Sequence, residues 1–508
     1  MKRFALLVFA FAAAASAAVR PEDSVVQVFA QQRRPDVHRP WAKGAPHEVS
    51  GSGVVIEGNR ILTTAHVVEY SSEIQVQANE SGDRVSGKVV AISYGLDLAL
   101  LSLEDNTFFA SHPPLPRSTA LPHIKDAVLV CGFPVGGSTL STTKGIVSRI
   151  EFVPYEDSTS GLRVQLDAAI NAGNSGGPAL AAGRMIGLAF GRLANAQNIG
   201  YITPCEEIQL FLDGVARGGY RGKPALYDKF ELLQNDTLRQ FLGVNPALHG
   251  VVVRHPFSDD PRYPLKEWDV VTRIGNTPVD DQGEIPLTDL VRVRFQYLVQ
   301  KLAHDGTVPL TVLRRGKLLQ LAVPVAYSRP RLVPPLEGKY PSYFIYGPMT
   351  FSAATEDFLS LNAPRQIRRM MESFVTLTMA EMGNPLVTRR GDMPAFPGEQ
   401  LVVVSGPFLP SPLVVGYPSP ANQVVDTVNG VHVRNLGHLV RLLRDAQGKY
   451  VTFTFAGRIS TAIVLPRADA LAETDDILGD NDIRSQGSPD MMAIWQSART
   501  PAKLPVNP

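Results

Sequence analysis

Residues 173–178 read G-N-S-G-G-P and place one serine, Ser175, between glycines. Glycines on both sides let the backbone turn sharply and let a carbonyl group approach closely. A serine becomes a nucleophile when a base lies within hydrogen-bond reach and a carboxylate orients that base. Because most glycine-flanked serines are simply turns, the motif needs a base and a carboxylate elsewhere in the chain.

Two upstream segments supply these groups. The sequence T-T-A-H-V-V over residues 63–68 places His66 at the end of an apolar strand. The sequence G-L-D-L-A-L-L over residues 95–101 places Asp97 inside an apolar run, where an ionised carboxylate is costly unless it is paired. Alone, the histidine reads as a core or surface residue and the aspartate as a turn or cap. Together His66, Asp97 and Ser175 follow the order of the chymotrypsin triad, and we predict that they form a catalytic triad.

Composition predicts a folded chain of several domains. The chain has 508 residues, which at about 150 residues per domain gives roughly three domains. Its 44% hydrophobic residues argue against wholesale disorder, and 49 basic against 48 acidic residues argue against a dedicated nucleic-acid binder. Two cysteines exclude a disulfide-stapled scaffold and a cysteine-rich metal module, although Cys131 and Cys205 could still pair. The other histidines show no metal-ligand spacing, so we predict no metal site and no cofactor.

The N-terminus has the order of a secretory signal peptide. Lys2 and Arg3 precede an apolar run of twelve residues, 4–15, and small residues follow up to Ala17. The run is shorter than the ~20 residues that span a bilayer as a helix. We therefore predict cleavage after Ala17, export to the periplasm or cell envelope and no stable membrane insertion; the alternative is an uncleaved anchor.

Three patterns follow the signal peptide. From about 50 to 210, short β-branched runs separated by glycines predict an all-β barrel or sandwich, closed by a helix after Pro204. Two later segments, 270–279 and 424–433, share a strand–turn–strand pattern that leads into an amphipathic helix, predicted over 287–302 and 436–443. From Thr474 onward, an acidic and then polar, proline-bearing stretch predicts little packed structure.

The motifs T-A-H-V-V, G-L-D-L-A-L and G-N-S-G-G-P resemble those of the Deg/HtrA serine proteases, a chymotrypsin-like family with PDZ domains behind the protease. Residues 225–330 resemble the family's PDZ domain, and the stretches 341–348 and 398–405 resemble the second PDZ-like domain of plant-type Deg proteases. The resemblance implies a mainly β fold, a chymotrypsin-like double β-barrel followed by two PDZ-like α+β domains. The stretch from Ala15 to Pro46 does not carry the family's long regulatory loop, so loop-based activation is not transferred.

The resemblance also implies domain boundaries. They are a signal peptide (1–17), a trypsin-like protease domain (18–222), a first PDZ domain (223–333), a second PDZ-like domain (334–470) and a C-terminal tail (471–508).

The resemblance further implies roles for individual residues. The backbone N–H groups of Gly173 and Ser175 would form the oxyanion hole. Ala169, six residues before the nucleophile, would lie at the base of the specificity pocket beside Ile170. Leu188, Ala189 and Phe190 would form the strand along which substrate pairs, while residues 199–201 would lie near the pocket wall. Asp167 either holds loop backbone by hydrogen bonds, which we favour, or points into the pocket.

Together with these residues, the resemblance implies an ATP-independent serine endopeptidase that degrades unfolded or damaged exported proteins in a trimer-based assembly. No P-loop signature occurs in the sequence, which argues against an ATP-driven mechanism. The implied partners are unfolded polypeptides and further copies of the chain in a trimer-based homo-oligomer, with no nucleic acid. The uncharged residues around Ala169 predict cleavage after Val, Ala, Leu or Ile. The alternative is a non-proteolytic chaperone or scaffold that keeps the fold and acts through PDZ binding.

Overall fold

A computed structural model describes residues 20–155, 159–192, 199–360, 378–458 and 461–498. The predicted signal peptide, residues 1–17, lies outside the described residues. Two closed β-barrels are followed by a sheet domain, called the middle domain, whose strands lie between residues 229 and 324, and by the region 334–498, called the C-terminal domain. Across the described ranges, no helix combines the length and apolarity that crossing a bilayer requires.

The first barrel contains six antiparallel strands in the order β1-β2-β3-β6-β5-β4. It closes because β1 pairs with β2 on one side and with β4 on the other. Alternate side chains of β4 are buried, the period-2 pattern of a strand with one face in a core. The strands are β1 (Val25–Gln32), β2 (His47–Ile56), β3 (Arg60–Thr63), β4 (Ser71–Ala78), β5 (Arg84–Ser93) and β6 (Leu98–Leu103), and the short helices are α1 (Pro21–Ser24), α2 (Ala65–Val68) and α3 (Phe108–Ser111).

The second barrel repeats this architecture in the order β10-β11-β12-β9-β8-β7, with β10 pairing both β11 and β7. The helix predicted after Pro204 is present as α4, with Glu206 and Glu207 in its first turn. Two closed barrels and a PDZ fold confirm the predicted fold class. The elements are β7 (Ala127–Gly132), β8 (Ser141–Pro154), β9 (Ser160–Asp167), β10 (Pro178–Ala181), β11 (Arg184–Arg192), β12 (Ile199–Pro204) and α4 (Cys205–Ala216).

The middle domain is a sheet in the order β13-β14-β15-β19-β20, with β16 paired to β15 and a separate β17–β18 hairpin. The helix predicted over 287–302 is wrong in its first half. Residues 291–294 read V-R-V-R and alternate between buried and exposed, which is a strand period, and only 295–302 are helical. The elements are β13 (Lys229–Leu232), α5 (Asp236–Phe241), β14 (Val251–His255), β15 (Val270–Ile274), β16 (Thr277–Pro278), β17 (Glu284–Thr288), β18 (Val291–Arg294), a 3₁₀ helix (Phe295–Leu298), α6 (Val299–Leu302), β19 (Thr307–Arg314) and β20 (Lys317–Pro324).

The C-terminal domain has a three-stranded and a four-stranded sheet, joined by a bridge between Val403 and Val424. The helix predicted over 436–443 is confirmed as α9, whose first turn is capped by the Asn435 side chain. The elements are β21 (Tyr343–Tyr346), β22 (Met349–Ala353), α7 (Glu356–Leu359), α8 (Pro385–Thr388), β23 (Val402–Val404), a 3₁₀ helix (Pro412–Val414), β24 (Val425–Val428), β25 (Val431–His432), α9 (Leu436–Asp445), β26 (Tyr450–Phe455), β27 (Ile463–Pro466), α10 (Arg467–Asp480) and α11 (Pro489–Gln496).

The prediction of little packed structure after Thr474, in the tail assigned to 471–508, is wrong as far as residue 496. Ala470, Thr474 and Ile477 are buried on one face of α10, at helical spacing that the acidic composition conceals. The following segment pairs with β21, where the Ile345 N–H donates to the Gln486 carbonyl at 2.8 Å. Met491 of α11 belongs to the same core. Residues 499–508 lie outside the described residues.

The middle domain shares its core with the second barrel. One cluster of buried apolar side chains runs from the barrel into the middle sheet, and the rings of Phe152 and Tyr297 lie 6.1 Å apart across the junction. Beside it, Lys223 donates to Glu207 at 2.8 Å and to Gln300 at 2.8 Å. The Lys223 and Glu207 side chains are only 4% and 0% exposed. Burial lowers the pKa of Lys223, although the charge of Glu207 opposes that shift.

Candidate active site

His66 and Asp97 meet at one end of the first barrel. His66 lies on α2, directly after β3, and Asp97 directly precedes β6, which pairs with β3. The Asp97 Oδ2 atom lies 2.7 Å from His66 Nδ1, and Oδ1 accepts the backbone N–H of His66 at 2.9 Å. Asp97 lies in a turn with φ of +53°, rather than within the strand that its apolar neighbours suggested. One carboxylate therefore fixes both the ring and the backbone of the histidine.

The environment of His66 favours a ring that can accept a proton. Its side chain is 42% exposed, so the imidazole is accessible to solvent and to an incoming substrate. Burial lowers the pKa of His66, but the hydrogen bond and charge of Asp97, with the charge of Glu69, outweigh burial and raise it. An ionised carboxylate only accepts, so the ring donates Nδ1–H to Asp97 and leaves Nε2 as the basic atom.

Ser175 lies on a loop of the second barrel that contacts the first. Its carbonyl accepts the N–H of Ser52 on β2 at 2.8 Å. A methyl group added to the neighbouring Gly51 would lie 3.2 Å from the Ser175 carbonyl oxygen and 2.7 Å from Val67, the residue after His66. The three predicted triad residues therefore converge. Among the described contacts, no hydrogen bond joins Ser175 to His66, which is common before a substrate binds.

Gly173 occupies a position that admits only glycine. Its φ is +97°, and an added methyl group would lie 2.4 Å from the Phe133 carbonyl oxygen and 2.5 Å from the Val135 nitrogen. The Val135 N–H donates to the Ala172 carbonyl at 2.9 Å. Because C=O and N–H point in opposite directions across a trans peptide, this bond turns the Gly173 N–H away from Val135. Within the described part of the chain, the N–H groups of Gly173 and Ser175 have no acceptor, as an oxyanion hole requires.

Sequence reasoning missed Ser52, which supports this loop from the first barrel. Its buried hydroxyl donates to the Gly173 carbonyl at 2.8 Å and accepts the Phe133 N–H at 2.8 Å. The small residues of S-G-S-G at 50–53 are the signal that could have indicated a close approach of two backbones.

The stretch predicted to pair with substrate, residues 188–190, begins one or two residues too early in the sequence. Leu188 is already paired with Pro178 of β10 and with Thr203 of β12. The Ala189 N–H donates to Gly177 at 2.8 Å, and its carbonyl accepts the N–H of Gly176 at 2.7 Å. Both residues are also fully buried.

Phe190 differs from the two residues before it. The β11–β12 register shifts between Ala189 and Gly191, which leaves Phe190 as a bulge. Of the three predicted residues, only Phe190 therefore lacks a strand partner among the described pairs and keeps backbone groups with which a substrate strand could pair.

Ala169 and Ile170, the two residues predicted to form the specificity pocket, lie in different environments. Ala169 lines a shallow cavity of about 630 Å³ together with Asp167, Ala168 and residues 143–146. Ile170 is buried instead, and a methyl group added to Gly200 would lie 2.4 Å from its Cδ1 atom, so Ile170 packs on the predicted pocket wall.

The favoured structural role of Asp167 is wrong. Strand alternation in β9 buries Leu166 and turns Asp167 outward. Among the described residues, its carboxylate has no hydrogen-bond partner, so it does not hold loop backbone. Asp167 is one of the residues that line the cavity, together with Ala169 and Lys144.

Cys131 and Cys205, whose pairing the sequence left open, are both buried free thiols. Burial raises the pKa of both, that of Cys205 to about 12, so neither is a reactive thiolate at neutral pH. Within the described residues, no group of three His, Cys, Asp or Glu side chains could hold a metal ion.

Comparison with known proteins gives family matches in two separate regions of the chain. Residues 51–188 match the trypsin-like peptidase domain, and residues 334–490 match the PDZ domain. Protease Do-like 2, chloroplastic, from Arabidopsis thaliana is 35% identical over 479 residues, which cover 92% of this chain and 75% of that protein. Protease Do-like 4, mitochondrial, from the same plant is 33% identical over 480 residues, which cover 94% and 86%. Among solved structures, the serine endoprotease from Yersinia pestis overlaps 60% of this chain and 95% of that chain, with 21% identity and a TM-score of 0.42.

Proposed function

The chain belongs to the Do-like, or Deg/HtrA, family of serine proteases, and from this premise we propose that it is an ATP-independent endopeptidase for unfolded polypeptides. The observation that supports this most directly is the double contact of Asp97 with the ring and backbone of His66, beside the loop of Ser175. This arrangement brings together a nucleophile, an oriented base and two N–H donors that have no acceptor among the described residues.

In the proposed mechanism, the Ser175 hydroxyl attacks the carbonyl carbon of the scissile peptide while His66 Nε2 takes its proton. Asp97 stabilises the imidazolium that forms and holds its tautomer. The N–H groups of Gly173 and Ser175 donate to the tetrahedral oxyanion. The imidazolium then protonates the leaving amine, and water hydrolyses the acyl-enzyme with His66 again acting as the base.

The proposed substrates are extended chains. A peptide that pairs along β11 from Phe190 must be unfolded locally, because a peptide bond inside a folded domain cannot reach a strand edge. PDZ domains also bind extended segments by strand addition. We further propose a trimer-based oligomer, since several PDZ modules on one particle raise the effective concentration of a long unfolded chain. Light scattering that finds only monomer across the micromolar range would contradict it.

For specificity we propose cleavage after small or medium aliphatic residues. Ile170 and the wall at Gly200 are apolar, and burying such a side chain gains roughly 1.5–3 kcal/mol. The outward position of Asp167 on the cavity that Ala169 lines supports the alternative, cleavage after a basic residue. Mass spectrometry of casein fragments tests this proposal. A majority of cuts after Lys or Arg would instead show that Asp167 binds the cleaved side chain.

We propose export from the order of charged, apolar and small residues at 1–17. Expression with secretion and N-terminal sequencing should give a mature chain that begins at Ala18. A chain that retains Lys2 would contradict cleavage.

Labelling with a fluorophosphonate probe tests the central proposal. Wild type should be labelled and should cleave casein without ATP, whereas Ser175→Ala should lose labelling and lower kcat by about 10⁴–10⁶-fold. Ser111→Ala, an exposed serine, is the matched control. Casein cleavage by Ser175→Ala at the wild-type rate would exclude the proposed nucleophile. Wild-type protein that prevents aggregation of unfolded chains but never reacts with the probe would support the chaperone alternative.

A further inference from the structure

The loop between β1 and β2, residues 33–46, inserts its tip into the C-terminal domain. Val37 is only 7% exposed and packs in a cluster of C-terminal apolar side chains that includes Leu336 and Phe358. The next residue, His38, donates from Nδ1 to the Ser405 carbonyl at 3.0 Å, and its ring lies 5.1 Å from that of Phe358. The first barrel therefore contributes part of the core of a distant domain.

The chain segment that enters the C-terminal domain, residues 337–340, packs back onto the first barrel; we call it the clamp segment. The Tyr340 hydroxyl donates to the Arg33 carbonyl at 2.6 Å, and its ring lies 6.0 Å from that of Tyr70. The Arg33 N–H in turn donates to the Tyr70 carbonyl at 3.0 Å. Tyr70 follows α2, the short helix that contains His66.

The other end of the clamp segment touches the turn of Asp97. A methyl group added to Gly338 would lie 2.0 Å from the Tyr94 hydroxyl oxygen, so the backbone of the clamp segment packs against the Tyr94 side chain. The Tyr94 carbonyl accepts the N–H of Asp97 at 3.1 Å. The clamp segment thus contacts Tyr70, which follows the helix of His66, and Tyr94, which lies in the turn before Asp97.

Both contacted segments have strained backbone. Tyr70 has φ of +54° and Asp97 has φ of +53°, the left-handed region that residues other than glycine adopt rarely. Such conformations persist only where the surrounding structure holds them, and they concentrate at functional sites. The hydrogen bonds from Arg33 to Tyr70 and from Asp97 to Tyr94 are two of the contacts that hold them.

We propose that Tyr70 and Tyr94 are positioning residues through which the clamp segment of the C-terminal domain fixes the His66–Asp97 pair. The proposal rests on the proposed triad and adds a dependence on a domain that supplies none of the three residues. If the ring of Tyr94 is displaced, the turn that holds Asp97 shifts with it. The reaction should slow while substrate binding, which uses the second barrel, is retained.

The test is Gly338→Ala in the full-length protein. The added methyl group must displace the rigid Tyr94 ring, so kcat should fall at least tenfold while KM stays within twofold, and fluorophosphonate labelling should slow to the same extent as kcat. The matched control is Gly316→Ala, which has nearly the same φ, +77° against +73°, but no atom within 4 Å of the added methyl. The control should keep wild-type kcat.

Rescue separates positioning from general damage. Tyr94→Phe removes the oxygen that lies 2.0 Å from the new methyl and leaves the ring Cζ at 3.0 Å, a contact that a small shift relieves, so Gly338→Ala with Tyr94→Phe should return to within threefold of Tyr94→Phe alone. A wild-type kcat for Gly338→Ala, or a loss that Tyr94→Phe does not relieve, would overturn the proposal. If Gly338→Ala does not fold, Tyr340→Phe decides: it should lower kcat several-fold with KM unchanged, and an unchanged kcat would overturn the proposal. Failure of the wild type to react with the probe would contradict the proposed function instead.

Discussion

The two barrels are supported by different parts of the chain. The second barrel, with Ser175 and Gly173, shares an apolar core with the middle domain and is fixed by the buried Lys223–Glu207 pair. The first barrel, with His66 and Asp97, instead inserts its 33–46 loop into the C-terminal domain. Each half of the proposed triad is therefore attached to its own domain, and the cleft geometry depends on both junctions.

The junctions also differ chemically. At the second barrel, Glu207 accepts from both Lys223 and the N–H of Leu162, with both side chains of the ion pair withdrawn from water. At the first barrel, apolar and aromatic packing through Val37, Trp41 and Tyr340 is joined by hydrogen bonds from His38 and Tyr340 to backbone carbonyls, and no buried ion pair is among the described contacts. A buried ion pair fails sharply when one partner is removed, whereas a set of apolar contacts weakens gradually. The following predictions test this difference.

The largest effect is expected on the first-barrel side, from Asp97→Asn. Loss of the carboxylate that holds the His66 tautomer should lower kcat on the order of 10⁴-fold. Asp97 also raises the pKa of His66, and the base must be neutral, so activity falls as pH drops below that pKa. In the variant the acid limb of kcat/KM should therefore move to lower pH. Asp83→Asn, on an exposed loop, is the control, and an unshifted acid limb would contradict the assignment.

The next effect tests the second-barrel junction through Glu207→Gln. The amide can still accept from Leu162, but the Lys223 charge remains buried without a counter-charge, which should cost roughly 3–5 kcal/mol of unfolding free energy. Lys301→Met breaks the exposed Lys301–Glu206 pair in the same junction and should cost no more than about 1 kcal/mol. Denaturant unfolding measures both. Equal losses would mean that burial of the charge does not matter here.

A smaller effect is expected from Gly173→Ala on the second-barrel side. The methyl group would collide with the Phe133 carbonyl and turn the N–H away from the oxyanion, lowering kcat about 10²–10³-fold. Gly183→Ala has a similarly positive φ, +75°, and open space around the added methyl, and should keep full activity. The rate of casein cleavage per active site, with active sites counted by titration with the probe, measures the change in kcat, and the melting temperature measures any loss of stability. An active Gly173→Ala would remove this residue from the oxyanion hole.

The smallest effect lies within the C-terminal domain. Asn435 caps α9 by accepting the N–H of His438 at 2.8 Å, and Asn435→Ala should cost about 1 kcal/mol of stability. Because α9 lies away from the clamp segment in the chain, kcat should not change while the domain remains folded. A kcat loss at a temperature where the domain is fully folded would show that the first-barrel junction responds to the whole domain.

The sequence predicted what depends on local pattern. The convergence of His66, Asp97 and Ser175 could be predicted because each motif combines a chemical group with a distinctive backbone setting, and α9 could be predicted because its apolar spacing is unambiguous. The helix predicted over residues 287–302 was wrong in its first half because the short run V-R-V-R has the alternation of a strand, while the residues around it have helical spacing. The prediction of little packed structure after Thr474 was wrong because it relied on the acidic composition and overlooked the apolar residues that recur at helical spacing.

Other features depend on contacts between distant segments. Leu188 and Ala189 were misplaced because a substrate strand needs an open edge, and edges are decided by which strands pair. The exposure of Asp167 follows from the register of β9, and the role of Ser52 from the meeting of two barrels. No local pattern shows that the 33–46 loop completes the core of the C-terminal domain.

Closure of both barrels has a consequence for the proposed action on unfolded chains. Open sheet edges act as templates on which other extended chains add and aggregate, and a closed barrel removes them. Within the described strands of the two barrels, every strand has a neighbour on each side. A protease of the proposed function can therefore hold aggregation-prone chains at high local concentration while its barrels offer them no open sheet edge beyond the short stretch of β11 at which a substrate would pair.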